Sequence, residues 1–274
     1  MTQKKADLHI HSTHSDGTLS PEEIVRLAME MGLAAVGITD HDNVAGVKEA
    51  MTFEEKYAVE VISGVELSAI EDSSDIHMLG YLIDVESVCL KEHLNLFRDA
   101  RKVRAERMVA KLNSLGLGLS IEAVLAKAGP AAVGRPHVAE ALVDEGFISS
   151  YEEAFRKYIG FGGPAYEAKY EISPARAIEL VHDAGGLAVI AHPGVHLKEE
   201  TIRKILDAGV DGIETVHPKH SPETTLRFRT LANAHGLLET GGSDYHGDNR
   251  GTTPFADGTV PYRWVELLRE RAGR

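Results

Sequence analysis

Short apolar runs of strand length alternate along the chain with amphipathic helical segments. In the first run, apolar Leu8 and Ile10 alternate with polar residues, which predicts a strand from Lys4 to Ile10. Residues two apart in a strand point to the same face, so His9 and His11 project together while Leu8 and Ile10 pack into the apolar interior. The run therefore predicts two neighbouring imidazoles at the end of a buried strand.

The same order of apolar run, polar residues and helix recurs after this strand. Ser20 and Pro21 begin the first helix, as an N-cap and a first helical residue. Further strands are predicted over residues 34–39, 60–68, 75–83, 187–191, 210–216 and 237–241. This alternation is typical of a parallel α/β architecture.

The alternation stops over residues 88–165, which contain helical segments and no convincing strand. A long helix rich in Arg and Lys is predicted over Leu90–Leu115, and shorter helices follow it. Because strands and helices alternate again afterwards, we interpret this stretch as an all-helical insertion, 88–165. The α/β domain is then discontinuous, formed by residues 1–87 and 166–274.

Almost every predicted strand ends in His, Asp or Glu. In parallel α/β folds the carboxyl ends of the strands meet at one edge, where sites are built. Imidazole and carboxylate donors without cysteine suit Zn, Mn, Fe or Ni. Nine donors are too many for one ion, and Glu66, flanked by small residues, is the expected bridging ligand. The nine candidates are His9, His11, Asp16, His41, Glu66, His77, His192, Asp244 and His246.

Charge and composition narrow the possible partners. The chain has 274 residues, 14 histidines and a net charge of −13, which argues against a basic face for duplex DNA. An anionic substrate remains compatible, because bound divalent ions would reverse the local charge. One cysteine, Cys89, allows no internal disulfide, and no apolar run is long enough to span a membrane. We therefore expect a cytoplasmic protein.

The motifs together resemble one family. Asp-Leu-His-Ile-His-Ser, Thr-Asp-His-Asp, Gly-Val-Glu, His-Pro and Gly-Ser-Asp-Tyr-His are similar to the motifs of the polymerase-and-histidinol-phosphatase (PHP) metal-dependent phosphoesterases. The insertion with Gly-Arg-Pro-His is similar to the subgroup of 3′,5′-nucleoside bisphosphate phosphatases and a 5′→3′ exoribonuclease. The resemblance implies a distorted (β/α)7 barrel with three divalent metal ions, with Mn²⁺ expected and Fe²⁺ or Zn²⁺ also possible.

The resemblance also implies three ligand sets. One ion would be held by His9, His11, Glu66 and Asp244. A second would share Glu66 and add His77 and His192, and the third would use Asp16, His41 and His246. Asp40 and Asp42, which flank His41, are expected to hydrogen-bond ligating histidines instead of binding an ion.

Basic residues of the insertion are candidates for a second phosphate. Arg135 and His137 lie at a helix start, where anions bind, and Arg binds phosphate in a bidentate manner. Arg104 and Arg107 form either a further phosphate contact or a solvated basic face. Three more residues follow a predicted strand end and are expected near phosphate: His217, Lys219 and His220, of which His217 is the candidate general acid.

The predicted function is hydrolysis of a phosphate monoester of a small nucleotide. A nucleoside 3′,5′-bisphosphate such as 3′-phosphoadenosine 5′-phosphate is the expected substrate, giving the 5′-monophosphate and phosphate. Trimming of short RNA from its 5′ end is the nearest competing function. Hydrolysis of histidinol phosphate and a non-catalytic PHP module that binds nucleotide are also compatible with the motifs.

Overall fold

A computed structural model describes residues 4–72, 74–129, 131–168, 170–194, 197–247 and 253–274. Two compact units are distinguished. The barrel unit consists of Met1–Glu92 with Glu171–Arg274, and the helical unit is His93–Tyr170. The sequence-based division at residues 88 and 165 stays a prediction, because compactness does not show where either part folds independently.

Eight strands form one sheet in the barrel unit. They are β1 (Lys5–Ile10), β2 (Ala35–Ile38), β3 (Glu60–Glu71), β4 (Ser74–Tyr81), β5 (Leu187–Ile190), β6 (Gly212–Val216), β7 (Leu238–Gly241) and β8 (Val260–Pro261). Their order is β7-β6-β5-β4-β3-β2-β1-β8. The predicted α/β barrel fold is confirmed.

The strand β4 departs from the predicted parallel arrangement. It runs antiparallel to both β3 and β5, with Ser68 opposite His77. Glu71 pairs with Ser74, only three positions later in the sequence, and strands connected by so few residues can pair only antiparallel. The prediction of parallel pairing throughout is therefore wrong for β4. His77 consequently projects from within β4 and not from a carboxyl end.

The sheet nearly closes into a barrel at one end of β1. Beyond β7, the Asp244 N–H donates to the His9 carbonyl at 2.8 Å, and the His11 N–H donates to the Tyr245 carbonyl at 3.0 Å. Gly242 permits this approach, since a Cβ atom there would lie 2.4 Å from the His9 nitrogen. These hydrogen bonds bring the segment after β7, near the C-terminal end of the sequence, next to β1 near its N-terminal end.

Helices connect most of the strands. They are α1 (Pro21–Glu30), α2 (Ala45–Met51), α3 (Glu54–Tyr57), α4 (Val88–Ser114), α5 (Ile121–Ala128), α6 (Arg135–Asp144), α7 (Tyr151–Ala154), α8 (Pro174–Asp183), α9 (Glu199–Asp207), α10 (Pro222–His235) and α11 (Arg263–Ala272). A π-helical turn, Phe155–Ile159, continues α7. The predicted cap of α1 is confirmed, because Ser20 and Glu23 form a reciprocal capping box.

Each unit has an apolar core of its own. Leu8, Ile62 and Val189 lie in the core of the barrel unit, and Met108, Leu112 and Leu142 in that of the helical unit. Among its described residues the helical unit contains no strand. Within the described parts of the chain, no helix combines the length and the apolar character needed to cross a bilayer.

Candidate metal centre

The first strand places two imidazoles side by side. His9 and His11 are both fully buried, and their ring centroids lie 5.2 Å apart. Leu8 and Ile10, on the other face of the strand, are fully buried in apolar packing. The alternation of polar and apolar residues in the sequence thus matches the alternation of the two faces of the strand, and both imidazoles project from the same face.

Glu66 lies at the centre of a cluster of imidazoles. It is fully buried within β3, and each of its carboxylate oxygens approaches ring nitrogens of different histidines. Three lie near Oε2: His9 Nε2 at 3.3 Å, His11 Nε2 at 3.1 Å and His41 Nδ1 at 3.1 Å. Two lie near Oε1: His77 Nδ1 at 2.9 Å and His192 Nε2 at 3.1 Å. One carboxylate therefore faces five imidazoles from four separate stretches of chain.

Among the residues that the structure describes, three overlapping groups of side chains could each hold a cation, because their donor atoms lie within 4.8 Å of one another. The groups are His9, His11, Glu66 and Asp244; His41, Glu66 and His77; and His11, Asp16, His41 and His246. His192 reaches Glu66 beside the second group. All nine candidate ligands come together in the barrel unit, and their assignment to particular ions stays a prediction.

Several ring nitrogens in this cluster are buried without a hydrogen bond. Among the described residues, no hydrogen-bond partner serves the Nδ1 atom of His11 or that of His41. Unpaired buried nitrogens are costly, by about 1–3 kcal/mol each. A cation held by these nitrogens and the Glu66 carboxylate would remove that cost. The residues present therefore fit divalent metal ions.

The charge balance of the cluster also suits a cation. Burial lowers the pKa of His41 to about 3, so this imidazole is neutral near pH 7 and has a free lone pair. Burial lowers the pKa of His192 as well. Burial alone would raise the pKa of Glu66, but the surrounding imidazoles hold it well below its usual value. Glu66 is consequently an ionised carboxylate.

Comparison with known proteins agrees with this geometry. Residues 7–161 match the model of the PHP domain. The chain belongs to the PHP family. This PHP chain is 35% identical over 251 residues, 89% of its length and 88% of the relative, to a 3′,5′-nucleoside bisphosphate phosphatase of Chromobacterium violaceum.

Two further comparisons cover almost the whole PHP chain. It is 31% identical over 271 residues, 96% of its length and 88% of the relative, to the 5′-3′ exoribonuclease Rnm of Salmonella typhimurium. A solved structure from Bifidobacterium adolescentis, assigned as a metal-dependent phosphoesterase, matches 100% of this chain and 99% of that one, with 31% identity and a TM-score of 0.85.

Asp40 and Asp42 were expected to accept hydrogen bonds from histidines, and the structure shows hydrogen bonds from serines of the PHP barrel to both. The Asp40 carboxylate accepts from the Ser12 N–H and hydroxyl and from the Ser15 hydroxyl, each at 2.7 Å. The Asp42 carboxylate accepts from the Ser68 N–H at 2.9 Å and from its hydroxyl at 2.8 Å. The expected hydrogen bonds of these two carboxylates with ligating histidines stay a prediction. Asp40 holds the loop between His11 and Asp16.

The acceptor of His9 is a residue that sequence reasoning missed. Glu214, fully buried on β6, lies with Oε1 3.0 Å from His9 Nδ1. Its other oxygen, Oε2, accepts the His192 N–H at 2.7 Å. An acidic residue amid the apolar residues of a buried strand was the available signal, since an unpaired carboxylate is almost never fully buried.

The three candidate residues that follow β6 have different contacts: His217 and Lys219 lie near Asp244, and His220 does not. His217 is buried, with Nε2 3.4 Å from Asp244 Oδ2, and Lys219 Nζ lies 3.5 Å from the same oxygen. His220 donates from Nδ1 to the Thr215 carbonyl at 3.2 Å and accepts the Gly194 N–H on Nε2 at 3.2 Å. A phosphate could bind His220 only by displacing one of these hydrogen bonds.

Three arginines lie near one another within the helical unit. Burial and the charges of Arg135 and Arg101 lower the pKa of Arg104 to about 10. Arg104 Nε donates to the Glu167 backbone carbonyl at 2.9 Å, and this acceptor carries no charge. A guanidinium whose pKa is lowered by neighbouring guanidinium groups is a candidate contact for an anion.

Two of the remaining candidates of the helical unit, Arg135 and His137, lie at the start of α6. The Arg135 guanidinium lies over the rings of Phe155 and Tyr166, 5.7 Å and 5.9 Å from their centroids. His137 is buried and accepts the Gly134 N–H on Nδ1 at 3.0 Å, so it helps to cap the helix. Arg107 is exposed on α4. Their roles toward a substrate stay predictions.

Proposed function

We propose that this protein is a metal-dependent phosphoesterase that removes the 3′-phosphate from nucleoside 3′,5′-bisphosphates, giving the 5′-monophosphate and phosphate. The observation that carries the proposal is the convergence of five imidazoles on the buried Glu66 carboxylate. The 35% identity to a relative named as a 3′,5′-nucleoside bisphosphate phosphatase supports this substrate class.

Three divalent ions, preferably Mn²⁺, would be held by the overlapping groups around Glu66. His9, His11, Glu66 and Asp244 would hold the first ion. Glu66, His77 and His192 would hold the second, and Asp16, His41 and His246 the third. When bound, such ions lower the pKa of water from about 15.7 toward 7 and offset negative charge on phosphoryl oxygens.

His217 is the proposed proton donor to the leaving oxygen. Its Nδ1 atom accepts the Lys219 N–H at 3.1 Å, so a neutral ring carries its proton on Nε2. That Nε2 atom points to the Asp244 carboxylate, a proposed metal ligand. A 3′-alkoxide is a poor leaving group, and its protonation contributes about 10²–10⁴-fold to such reactions.

The second phosphate of the substrate would be bound by the guanidinium cluster of the helical unit. Arg104 and Arg135 are its proposed ligands, since a dianion between them would relieve the repulsion that lowers the pKa of Arg104. Lys219, at the Asp244 carboxylate in the barrel unit, would contact the reacting phosphate.

Exonucleolytic trimming of short RNA from the 5′ end is the second candidate. It is favoured by the 31% identity to the exoribonuclease Rnm over 96% of this chain. In that reaction the second phosphate would be the 5′ end group of the RNA. Histidinol phosphate has one phosphate and would leave the guanidinium cluster without a role.

One pair of assays tests the proposal. Phosphate release from adenosine 3′,5′-bisphosphate and mononucleotide release from a 5′-phosphorylated oligoribonucleotide are measured with Mn²⁺. Faster turnover of the bisphosphate is expected, whereas preferred cleavage of the oligonucleotide would favour the exoribonuclease. Turnover of neither substrate by protein that retains Mn²⁺ would contradict both and favour a non-catalytic nucleotide-binding module.

A further inference from the structure

We infer that Glu214 is a positioning residue that prepares two of the proposed ion sites together and leaves the third unaffected. The inference rests on the proposed metal centre but not on the identity of the substrate. Among the described residues, Glu214 forms hydrogen bonds only with His9 and His192. These two histidines belong to different proposed ion sites, so one carboxylate serves both.

The contact with His9 selects the nitrogen that faces the centre. An ionised carboxylate accepts hydrogen bonds only, so Glu214 Oε1, 3.0 Å away, holds a proton on His9 Nδ1. The lone pair of a neutral ring is then on Nε2, which lies 3.3 Å from Glu66 Oε2 and 3.5 Å from Asp244 Oδ1. Without Glu214, the ring could equally carry its proton on Nε2, where it would block an ion.

The contact with His192 holds a strained backbone. His192 has a φ of +27°, in a region that residues with a Cβ atom rarely adopt. Its N–H donates to Glu214 Oε2 at 2.7 Å, and this bond fixes the peptide that carries the side chain. In this conformation His192 Nε2 reaches to 3.1 Å from Glu66 Oε1. Glu214 thus stabilises the backbone that aims the second histidine.

Within the part of the chain that the structure describes, Glu214 forms no hydrogen bond with the third group of ligands. Asp16, His41 and His246 form this group, and His11 lies beside them. The loop before Asp16 is held by Asp40, from a different part of the barrel. Loss of the Glu214 carboxylate is therefore expected to weaken two sites selectively, whereas a general loss of structure would weaken all three.

The decisive variant is Glu214→Gln, which keeps the shape of the side chain. An amide has one acceptor and one donor end, so it places an NH₂ group against either the His192 N–H or His9 Nδ1. In the second orientation it would drive the His9 proton onto Nε2. Either way one of the two positioning contacts is lost, and the other is weakened because the neutral amide no longer forms a charge-assisted hydrogen bond.

The experiment is a calorimetric Mn²⁺ titration of the metal-stripped full chain, with ion content counted by mass spectrometry. In Glu214→Gln two sites should weaken by about 10–100-fold while the third keeps the wild-type affinity. Glu239→Gln is the matched control. Glu239 is an acidic residue on the adjacent strand β7 that contacts Thr215 and Arg229, outside the centre.

The outcomes separate the inference from the proposed function. Unchanged affinities in Glu214→Gln, or an equal loss at all three sites, would overturn the inference alone. Wild-type protein that takes up no Mn²⁺ would overturn the metal centre and the inference with it. If Glu214→Gln does not fold, Glu214→Asp keeps the charge but shortens the reach, and the same two sites should weaken while the third does not.

Discussion

His41 and Glu66 are joined through their backbones as well as through their side chains. The two residues form a parallel bridge, in which the Asp42 N–H donates to the Glu66 carbonyl at 2.9 Å and the Glu66 N–H donates to the Asp40 carbonyl at 3.2 Å. The His41 Nδ1 atom lies 3.1 Å from Glu66 Oε2. Main-chain hydrogen bonds therefore continue the β2–β3 pairing into the site and set the distance between two proposed ligands.

Loss of the Glu66 charge should abolish metal binding and turnover together. Glu66→Gln is expected to lower bisphosphate hydrolysis by at least about 10³-fold, because several kcal/mol of charge stabilisation depend on the bound ions. Phosphate release and Mn²⁺ content per chain are the measurements. Glu71→Gln, in the same strand but paired with Lys204, is the control and should resemble wild type. Full Mn²⁺ content in Glu66→Gln would contradict the proposed bridging role.

The role of His217 can be tested with the leaving group. His217→Gln should lower hydrolysis of adenosine 3′,5′-bisphosphate by about 10²–10⁴-fold, because the 3′-alkoxide needs a proton. p-Nitrophenolate leaves without one, so p-nitrophenyl phosphate should be much less affected. Comparison of kcat for the two substrates provides the measurement. Equal losses on both would show that His217 acts in another way.

The guanidinium cluster should discriminate two phosphates from one. Arg135→Ala and Arg104→Ala are expected to raise KM for the bisphosphate by about 10–100-fold, the effect of losing a charged hydrogen bond worth about 1.5–3 kcal/mol. The KM for p-nitrophenyl phosphate should change little. Arg98→Ala is the control, because Arg98 is exposed on α4, the helix that also carries Arg104. Parallel changes for both substrates would contradict the assignment.

Without bound metal, the stability of the protein should fall as the pH rises into the alkaline range. Burial would lower the pKa of His11, but the Asp244 and Glu66 carboxylates raise it from 6.5 to about 10. The stabilisation from protonated His11 is thus complete below about pH 6.5 and is lost as the pH rises toward 10. Bound cations would displace this proton, so Mn²⁺ should reduce the decline.

The measurement is Tm between pH 6.5 and about 9, in EDTA and in Mn²⁺, for wild type and His11→Gln. In EDTA the stability advantage of wild type over the variant should shrink as the pH rises. A difference that is constant with pH would contradict the pKa direction assigned to His11.

Gly46 should resist a substitution that normally stabilises a helix. Gly→Ala within a helix usually adds about 0.5–1 kcal/mol. At Gly46, in α2, a Cβ atom would lie 1.9 Å from Asp40 Oδ2 and 2.6 Å from Ser12 Oγ. Gly46→Ala is therefore expected to destabilise the protein by about 1–3 kcal/mol, measured by urea unfolding. A gain in stability would show that Asp40 moves aside without cost.

The local pattern of the chain was enough to predict the strands, the insertion helices and the candidate ligands. His9 and His11 alternate with Leu8 and Ile10, and that period of two is a property of any strand. The caps are equally local, since Ser20 bonds to Glu23, three residues away. Features that depend on neighbouring residues are therefore readable without the fold.

Tertiary structure alone decided the direction of β4 and the partners of the buried carboxylates. Strand direction depends on whether the connection is a turn or a crossover, and periodicity is the same in both cases. Glu214 lies 205 residues from His9, and Asp40 lies 28 residues from Ser12. The contact between Glu214 and His9 exists only once the sheet nearly closes, whereas that between Asp40 and Ser12 needs only the pairing of the neighbouring strands β1 and β2.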